Sequence, residues 1–225
     1  MIERILPFGV VSSESFGDPT EVRLYPKEAL IVRNAVQSRR REFATGRWCA
    51  RRSLAELGLP PGPLLADPRG APRWPDSVVG SITHCVGYRA AAVARSERLS
   101  MLGIDAEPHA ALPEGTLETV SLPEERVWIR QLQAVAPGTH WDRLLFSLKE
   151  AVYKAWSPVT IRPLGFEDAR ITVDPATSTF TAHLLVPSPL RRHGRPLHQL
   201  RGRWLISGGL VLSAIAEPAD TPAPN

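Results

Sequence analysis

Two carboxylates stand two residues apart in the stretch GIDAEP, directly after the apolar-rich run RLSMLGI. In an extended strand side chains alternate between faces, so Asp105 and Glu107 project to one side and Ala106 to the other. The two charges repel unless a cation lies between them, and Mg²⁺ suits them because it prefers oxygen ligands and keeps positions open for water and phosphate. The pattern therefore predicts a metal site, with the Ala106 carbonyl as a candidate ligand, although an isolated D-x-E also occurs at solvated strand ends.

A glutamate and two lysines follow in FSLKEAVYKAW. Glu150 and Lys154 are four residues apart, the spacing of an ordinary ion pair on a helix surface. The apolar stripe of the same helix points away from both, so they face either water or a cleft. The chain has only three lysines, and Lys149 and Lys154 are two of them. In a protein that otherwise uses arginine, these compact cations indicate contacts with phosphate oxygens.

Further candidates lie at the end of a predicted strand in GSITHC, where Thr83 and His84 are polar. A histidine in such a place is often structural. Neither a G-x-S-x-G elbow nor a P-loop pattern occurs, which argues against a serine hydrolase and a common nucleoside triphosphatase. Cys49 and Cys85 lack metal-ligand spacing, so we interpret them as small buried hydrophobic residues.

The net charge of +4 conceals a basic segment, VRNAVQSRRREFATGRWCARRSL, with Glu42 as its one acidic residue. Such a patch attracts anions. Nucleic acid is one possible partner, but the segment has few aromatic residues for base stacking and matches no familiar nucleic-acid module. Three other interpretations of the segment stay open. It could bind phosphate groups of a small molecule, bind an acidic protein, or be a solvated helix face with no partner. Its seven arginines are Arg33, Arg39, Arg40, Arg41, Arg47, Arg51 and Arg52.

The elements that must position these residues follow from periodicity. Helices are predicted over 27–57, 121–136 and 141–158, and Ser121 with Glu124 has capping-box spacing at the start of the second. A Gly/Pro-rich loop occupies 58–77. Strands are predicted over 78–83, 88–95 and 101–107, which we expect to form one sheet on the arginine helix, and over 168–174, 179–187 and 202–217. The result is an α+β fold of two similar lobes with a site in the groove between them.

Length and composition fit this picture. The chain has 225 residues, 43% of them hydrophobic, enough for one large or two small domains. We expect an N-terminal lobe over 1–108, a C-terminal lobe over 109–217 and a disordered tail over 218–225. No apolar run approaches the roughly 20 residues that span a bilayer, and no export signal is recognised. A reducing cytoplasm is the expected location.

The motifs GRWCARR, RGAPRWP, GSITHC, GIDAEP and FSLKEAVYKAW, in this order, resemble the phosphopantetheinyl transferases of the Sfp and EntD type, in particular the actinobacterial EntD-like branch that serves polyketide, lipid and siderophore synthesis. The likeness covers about Arg39 to Gly165, and SLPEER, HWDRLLF, LGFEDA and GRWLI extend it. One departure is Ala106, where many members carry a branched apolar residue.

The resemblance implies a pseudosymmetric two-lobed monomer that moves phosphopantetheine from coenzyme A to a serine of an apo carrier protein and releases adenosine 3′,5′-bisphosphate. The partners would be acyl and peptidyl carrier proteins of polyketide, fatty acid or nonribosomal peptide synthases, with no nucleic acid and no membrane. Implied metal positions, for Mg²⁺ or Mn²⁺, are Asp105, Ala106, Glu107 and Glu150. Implied catalytic residues are Glu150, as base, ligand or both, with Lys154 and Asp105. Implied coenzyme A contacts are Arg39, Arg47, Arg69, Gly70, Thr83, His84, Asp105, Lys149, Glu150 and Lys154.

Three other functions share parts of this pattern. A silent binder of carrier proteins or of coenzyme A would keep the basic surface but lose a metal or lysine position, and all are present. A nucleic-acid-binding protein would use the arginine helix alone, with steeply salt-dependent affinity. An Mg²⁺-dependent phosphohydrolase would need no carrier protein. The acidic motifs favour the transferase.

Overall fold

Helices and antiparallel strands make up the chain, which a computed structural model describes over residues 1–160, 162–192 and 194–220. The α-helices are α1 (Pro26–Ile31), α2 (Gln37–Glu56), α3 (Thr116–Val120), α4 (Pro123–Val135) and α5 (Trp141–Trp156). The strands are β1 (Val11–Ser15), β2 (Val78–Cys85), β3 (Tyr88–Arg95), β4 (Leu99–Pro108), β5 (Ala169–Asp174), β6 (Thr179–Leu184), β7 (Arg191–Arg192), β8 (Arg195–Pro196), β9 (Gln199–Ser207) and β10 (Leu210–Pro218). Short 3₁₀ helices span Ile2–Ile5 and Phe166–Asp168.

Two antiparallel sheets carry the fold. One has three strands in the order β1-β3-β2, and the other has five in the order β4-β10-β9-β6-β5. A small ladder joins β7 to β8. The α+β class with two sheets packed by helices is confirmed, although the sheets are unequal in size.

The three-stranded sheet packs against α2. Cys49, Ala50 and Leu54 on the helix meet Ala91 and Val93 of β3 in one hydrophobic cluster. The alternate residues of β3 face the other way, where they join β4 and β10 in a second cluster that includes Ala90, Ala92, Ala94, Ile104, Ala106 and Leu212. Because β3 is buried on both faces, its small side chains allow close packing on either side.

The five-stranded sheet packs against α5. Leu145, Leu148, Val152 and Trp156 form the apolar stripe that the sequence predicts, and they contact the sheet in the largest hydrophobic cluster. Burying such a stripe contributes about 25 cal/mol for each Å² removed from water, so it holds the helix on the sheet. Glu150 and Lys154 lie off this stripe, as predicted.

Gly103 is the point where α5 and β4 come closest. A Cβ on Gly103 would lie 2.6 Å from the Ala155 nitrogen and still nearer to the Ala151 carbonyl oxygen. Real side chains do not tolerate such contacts with backbone. The absence of a side chain at 103 therefore sets how near the helix that carries Glu150 and Lys154 lies to the strand that carries Asp105.

Four sequence-based expectations need correction. The helix predicted over 27–57 is two helices, α1 and α2, because the backbone of Val36 is extended and this residue is the N-cap of α2. Strand β4 does not join β2 and β3 in one sheet but pairs with β10 along its length. The capping carboxylate of α4 is Glu125 rather than Glu124, and it accepts the Leu122 N–H at 2.7 Å. The strand predicted over 202–217 is the two paired strands β9 and β10. Strands β1, β7 and β8 and helix α3 were not predicted.

The lobe division at residue 108 stays a prediction. Strand β4, which it assigns to the N-terminal lobe, belongs to the sheet whose other strands are C-terminal. Of the predicted tail, Pro218 is part of β10 and the Ala219 N–H donates to the Arg98 carbonyl at 2.9 Å. Residues 221–225 of that tail lie outside the described residues.

We expect Gly103→Ala to lower the free energy of unfolding by about 1–3 kcal/mol or more, because overpacking a rigid contact costs that much. Urea denaturation measures this. Gly138→Ala is the matched control, since a Cβ there meets no described heavy atom within 4 Å. Equal stability of the two variants would contradict the close approach.

Candidate active site

The site is built on a seam between β2 and β4, where side-chain hydroxyls replace a backbone ladder. The Ile104 N–H donates to the Ser81 hydroxyl at 3.1 Å, and the Ala106 N–H donates to the Thr83 hydroxyl at 3.0 Å. Residues at every second position of a strand direct their side chains to one face, so the two hydroxyls match two successive N–H groups of β4. The seam joins the sheets while leaving their side chains room for a site.

Thr83, Asp105 and Lys154 are in direct contact at this seam. The Thr83 hydroxyl donates to Asp105 Oδ1 at 3.2 Å, while Lys154 Nζ lies 2.6 Å from the same oxygen and 3.3 Å from the hydroxyl. A hydroxyl has one donor and two acceptor sites, so bonds from Ala106 and Lys154 and to Asp105 use all three. The Thr83 hydroxyl oxygen therefore links β4, the hairpin of β2 and β3, and α5 through hydrogen bonds.

Helix α5 supplies a cation to each carboxylate of β4. Lys154 pairs with Asp105, whose side chain is 4% exposed. Arg143, near the start of the helix, pairs with Glu107 at 2.9 Å and also donates to the Ala110 and Ala111 carbonyls. The like charges that the GIDAEP motif brings together are thus each balanced from the same helix face.

The acidic groups of the site influence one another. Burial raises the pKa of Glu150, and the nearby negative charge of Asp105 raises it further. The pKa of Glu107 is raised by the same two causes in the same order, although Arg143 opposes them. Within the described residues no three His, Cys, Asp or Glu side chains stand close enough to hold a metal ion. Asp105 and Glu107 are instead each paired with a cation of α5.

One atom of this cluster is unsatisfied. Asp105 Oδ2 is buried and accepts no hydrogen bond from the described part of the chain. A buried carboxylate oxygen without a partner is costly, so it marks a place where a ligand of the site would be stabilised.

Two clefts flank Tyr153 on α5. One, of about 200 Å³, is lined by Arg69, Gly70, Ser81, Lys154 and Pro158 among others. This cleft brings together three residues predicted to contact coenzyme A, Arg69, Gly70 and Lys154. Arg69 also donates to the Thr160 carbonyl at 2.8 Å. The other, of about 220 Å³, is more apolar and lies beside Glu150, with Leu164 and Phe166 in its wall.

Arg39 and His84 meet at the edge of the arginine helix. Arg39 Nη1 lies 2.6 Å from His84 Nε2. Arginine only donates, so this nitrogen of the imidazole is the acceptor. Burial first, and then the charge of Arg39, lowers the pKa of His84, which keeps the ring neutral near pH 7. The pair presents a cation beside a polar ring.

Two predicted contacts are turned elsewhere. Lys149 is paired with buried Glu125 at 2.7 Å. It lies five residues from Lys154, which is about 140° around the helix. Its ammonium is therefore not beside Lys154, contrary to the expectation of paired phosphate-binding lysines. Arg47 is 4% exposed and donates to the Leu64 carbonyl at 2.9 Å, and burial lowers its pKa to about 10.

Three further arginines of the basic segment have structural contacts. Arg51 pairs with fully buried Glu28 at 3.0 Å, Arg52 stacks on Trp48, and Arg40 donates to the Arg33 and Ala35 carbonyls. Only part of the predicted anion-attracting patch is therefore free to receive a ligand.

Sequence reasoning missed several residues of the site. Ser81 binds the Ile104 N–H at the seam, and Gly103 allows the close contact between α5 and β4. Arg143 pairs with Glu107, and Tyr153 lies between the two clefts. Ser81 stands two residues before Thr83, the strand period, and Arg143 is seven before Glu150, two helical turns. These two spacings place Ser81 on the same strand face as Thr83 and Arg143 on nearly the same helix face as Glu150, so they indicate the site only if β2 and α5 face β4.

The cysteines have no sign of nucleophilic activation. Burial raises the pKa of the Cys49 thiol to about 11. Burial, with Glu107 and Asp105 nearby, raises that of Cys85 to about 12. Both thiols are un-ionised near neutral pH; Cys49 is buried as the sequence interpretation expects, whereas Cys85 is only partly buried.

Comparison with known proteins identifies the family. A model described as the 4'-phosphopantetheinyl transferase N-terminal domain matches residues 27–94, and one described as the 4'-phosphopantetheinyl transferase superfamily matches residues 101–206. The chain is 54% identical to the 4'-phosphopantetheinyl transferase Svp of Streptomyces mobaraensis over 98% of its length and 92% of the relative. It is 51% identical to the 4'-phosphopantetheinyl transferase Npt of Nocardia iowensis, over 96% of this chain and 99% of that one. Identity to the 4'-phosphopantetheinyl transferase PptT of Mycobacterium tuberculosis is 45%, over 96% and 97%.

The chain belongs to the 4'-phosphopantetheinyl transferase superfamily. It is accordingly an enzyme that transfers phosphopantetheine to carrier proteins. The resemblance inferred from the motifs is confirmed. Among the described residues, no helix has the length and apolar character needed to cross a bilayer.

We expect Thr83→Val to reduce the free energy of unfolding by about 1–3 kcal/mol, because the buried Ala106 N–H and Asp105 Oδ1 each lose a partner. Thr83→Ser keeps the hydroxyl and is the matched control, with a smaller loss. Urea denaturation at neutral pH distinguishes them. If both variants lose the same stability, the hydroxyl does not hold the seam.

A second expectation concerns pH. The folded state raises the pKa of Glu150, so its stability contribution is present below the ordinary glutamate pKa, about 4.3, and is lost as pH rises through the raised value. Ionised Glu150 therefore costs stability at neutral pH. In the presence of a chelator, we expect Glu150→Gln to be more stable than the parent at about pH 8 and no more stable at about pH 4. A pH-independent difference would refute this assignment.

Proposed function

We propose that the donor of the phosphopantetheine group is coenzyme A and that the reaction depends on Mg²⁺, with Mn²⁺ as a possible substitute. The observation that carries this proposal is the Thr83–Asp105–Lys154 cluster, in which a lysine and an unpartnered buried carboxylate oxygen face one seam. Phosphoryl transfer needs alignment and neutralisation of charge more than covalent help, and this cluster offers both.

The residues that would hold the metal are Asp105, Ala106, Glu107 and Glu150. Carboxylate oxygens suit Mg²⁺, and the orphaned Asp105 Oδ2 fits a ligand position. The Ala106 N–H points to the β2 edge rather than to β10, and in a strand the carbonyl of a residue faces the same edge as its N–H. The Ala106 carbonyl therefore faces the seam. When bound, the metal would neutralise charge on the pyrophosphate of coenzyme A.

Coenzyme A would lie along the cleft that Arg69, Gly70 and Lys154 line. Lys154 would contact phosphate oxygens, and Arg39 with His84 would receive another phosphate group at the arginine helix. Thr83 would act by holding Lys154 and Asp105. Arg47 would contribute through the guanidinium nitrogens that do not bind Leu64, and Lys149 mainly by supporting Glu125. The apolar pocket beside Glu150 would accommodate the pantetheine arm.

The transfer itself would join the carrier serine to the phosphorus of the phosphopantetheine group. The serine oxygen forms a new P–O bond, and the P–O bond to adenosine 3′,5′-bisphosphate breaks with its electron pair going to that leaving group. The serine proton passes to the Glu150 carboxylate, whose raised pKa brings it nearer to the working pH of a general base. Lys154 stabilises the negative charge that develops on the phosphate oxygens.

The partners proposed for the chain are apo acyl and peptidyl carrier proteins of polyketide, fatty acid or nonribosomal peptide synthases. A role in siderophore assembly also fits, because a relative at 31% identity is the enterobactin synthase component D of Salmonella typhi. We further propose a monomer acting in the cytoplasm, with neither nucleic acid nor membrane as partner.

The direct test is incubation of the full chain with coenzyme A, Mg²⁺ and an apo carrier protein, followed by intact-mass measurement of the carrier. The carrier should gain the mass of one phosphopantetheine. Omission of Mg²⁺, or replacement of coenzyme A by adenosine 3′,5′-bisphosphate, should abolish the gain. Absence of the product with several apo carriers would contradict the proposal.

Glu150→Ala should lower turnover by about 10²–10⁴, the usual contribution of a general base, while coenzyme A still binds measurably. Carrier-mass kinetics and calorimetric titration with coenzyme A measure the two properties. Glu124→Ala, at an exposed site on α4, is the matched control. Full activity of Glu150→Ala would remove its proposed role.

Asp105→Asn should weaken the Mg²⁺ dependence of coenzyme A binding, because the orphaned oxygen is replaced by an uncharged group. Titration with coenzyme A at several Mg²⁺ concentrations measures it. An unchanged Mg²⁺ requirement would show that Asp105 is not a ligand.

A further inference from the structure

Glu42 is the one acidic residue of the arginine-rich segment over 32–54, and it lies at the centre of a charge cluster. Its Oε2 is 3.5 Å from Arg39 Nη1 and 3.8 Å from His84 Nδ1. Its Oε1 is 3.6 Å from Arg89 Nη2. One carboxylate thus lies close to two proposed coenzyme A residues and to the buried Arg89 guanidinium behind them.

Arg89 is the buried cation on the inner side of Glu42. It is 5% exposed and makes a bidentate pair with Asp18, at 3.0 Å and 2.9 Å. It also donates to the Cys85 and Tyr88 carbonyls at the hairpin between β2 and β3. A buried guanidinium held by so many acceptors is rigid, since moving it would leave several of them unpaired. The Glu42 carboxylate therefore has a rigid guanidinium 3.6 Å from it on the hairpin side.

The contacts of His84 define its tautomer. Arg39 donates to Nε2, which must therefore carry the lone pair, so in the neutral ring the proton is on Nδ1. Nδ1 is the nitrogen that faces the Glu42 carboxylate. A negative charge on that side favours the same tautomer. Glu42 thereby orients the ring and, through its ion pair, the guanidinium of Arg39.

We propose that Glu42 is a positioning residue, which holds Arg39 and His84 ready for a phosphate group of coenzyme A. This inference rests on the proposed function, because it takes Arg39 and His84 as coenzyme A contacts. Glu42 acts through these two residues and does not itself touch the anion.

Charge and positioning predict opposite effects of removing Glu42. A carboxylate near an anion site repels the anion, so its neutralisation alone should strengthen binding. If instead Glu42 organises the two contacts, its neutralisation should weaken binding, because they must then be ordered when coenzyme A arrives. The sign of the change separates the two.

The experiment is calorimetric titration of the full chain with coenzyme A and Mg²⁺, for the parent and for Glu42→Gln. We expect binding about tenfold weaker in the variant, because Arg39 and His84 must then be ordered when coenzyme A binds, with kcat at saturating coenzyme A near that of the parent. Glu56→Gln is the matched control, because Glu56 is an exposed carboxylate on the same helix. Unchanged or tighter binding by Glu42→Gln overturns the proposal.

A spectroscopic readout separates positioning from a general structural effect. Long-range ¹H–¹⁵N correlation of the imidazole, assigned with His84→Asn, reports which ring nitrogen carries the proton. The parent should show the Nδ1–H form, and Glu42→Gln a mixture of tautomers. An Nε2–H form in the parent overturns the proposal.

A further pair of variants distinguishes failure of this inference from failure of the proposed function. If Arg39→Gln and His84→Ala both bind coenzyme A as the parent does, the assignment of these contacts is wrong. If they weaken binding, Glu42→Gln should add little in the Arg39→Gln background, because coupled residues are not additive. Full additivity would overturn the action of Glu42 through Arg39.

Discussion

The hydrogen bonds that β2 side chains make to β4 are the constraint on which the rest of the site depends. Two sheets meet at this seam, and an ordinary backbone ladder there would have merged them into one. Hydroxyls of Ser81 and Thr83 satisfy the β4 amides instead. An unpaired buried amide costs free energy, so these hydroxyls are needed for stability before any chemistry occurs. The same Thr83 oxygen then orients Lys154 and Asp105.

Charge compensation in the site follows a simple geometry. Strand β4 places carboxylates at alternate positions, and α5 places cations on one face to meet them. Gly103 allows the helix to lie near enough for these pairs to form. Lys154 pairs with Asp105 and Arg143 pairs with Glu107, so each carboxylate of β4 has a cation from α5. Burial and the charge of Asp105 raise the pKa of Glu150 while the charge of Lys154 opposes them, and a raised pKa suits the proton acceptor proposed above.

Much of this arrangement was predictable from sequence, and the failures have physical causes. Alternation along β4 and the i, i+4 spacing on α5 are local patterns, and the structure brings Lys154 into contact with Asp105 and places Glu150 near it. Lys149 was misplaced because its buried partner, Glu125, lies on another helix that no local pattern connects to it. The pairing of β4 with β10 joins residues about a hundred positions apart, which periodicity alone does not specify. The break between α1 and α2 falls at extended Val36, and α1 is held separately by buried Glu28, which pairs with Arg51.

The ammonium of Lys154 has a directional property that its charge alone does not convey. It carries three N–H bonds, and the described residues take two of them, at Asp105 and Thr83. With two hydrogens fixed, the third has little freedom and points along one line. A flexible point charge has thereby become an oriented donor, comparable to a backbone amide. A guanidinium in its place would present a broader fork of donors, so this position selects the kind of cation as well as its sign.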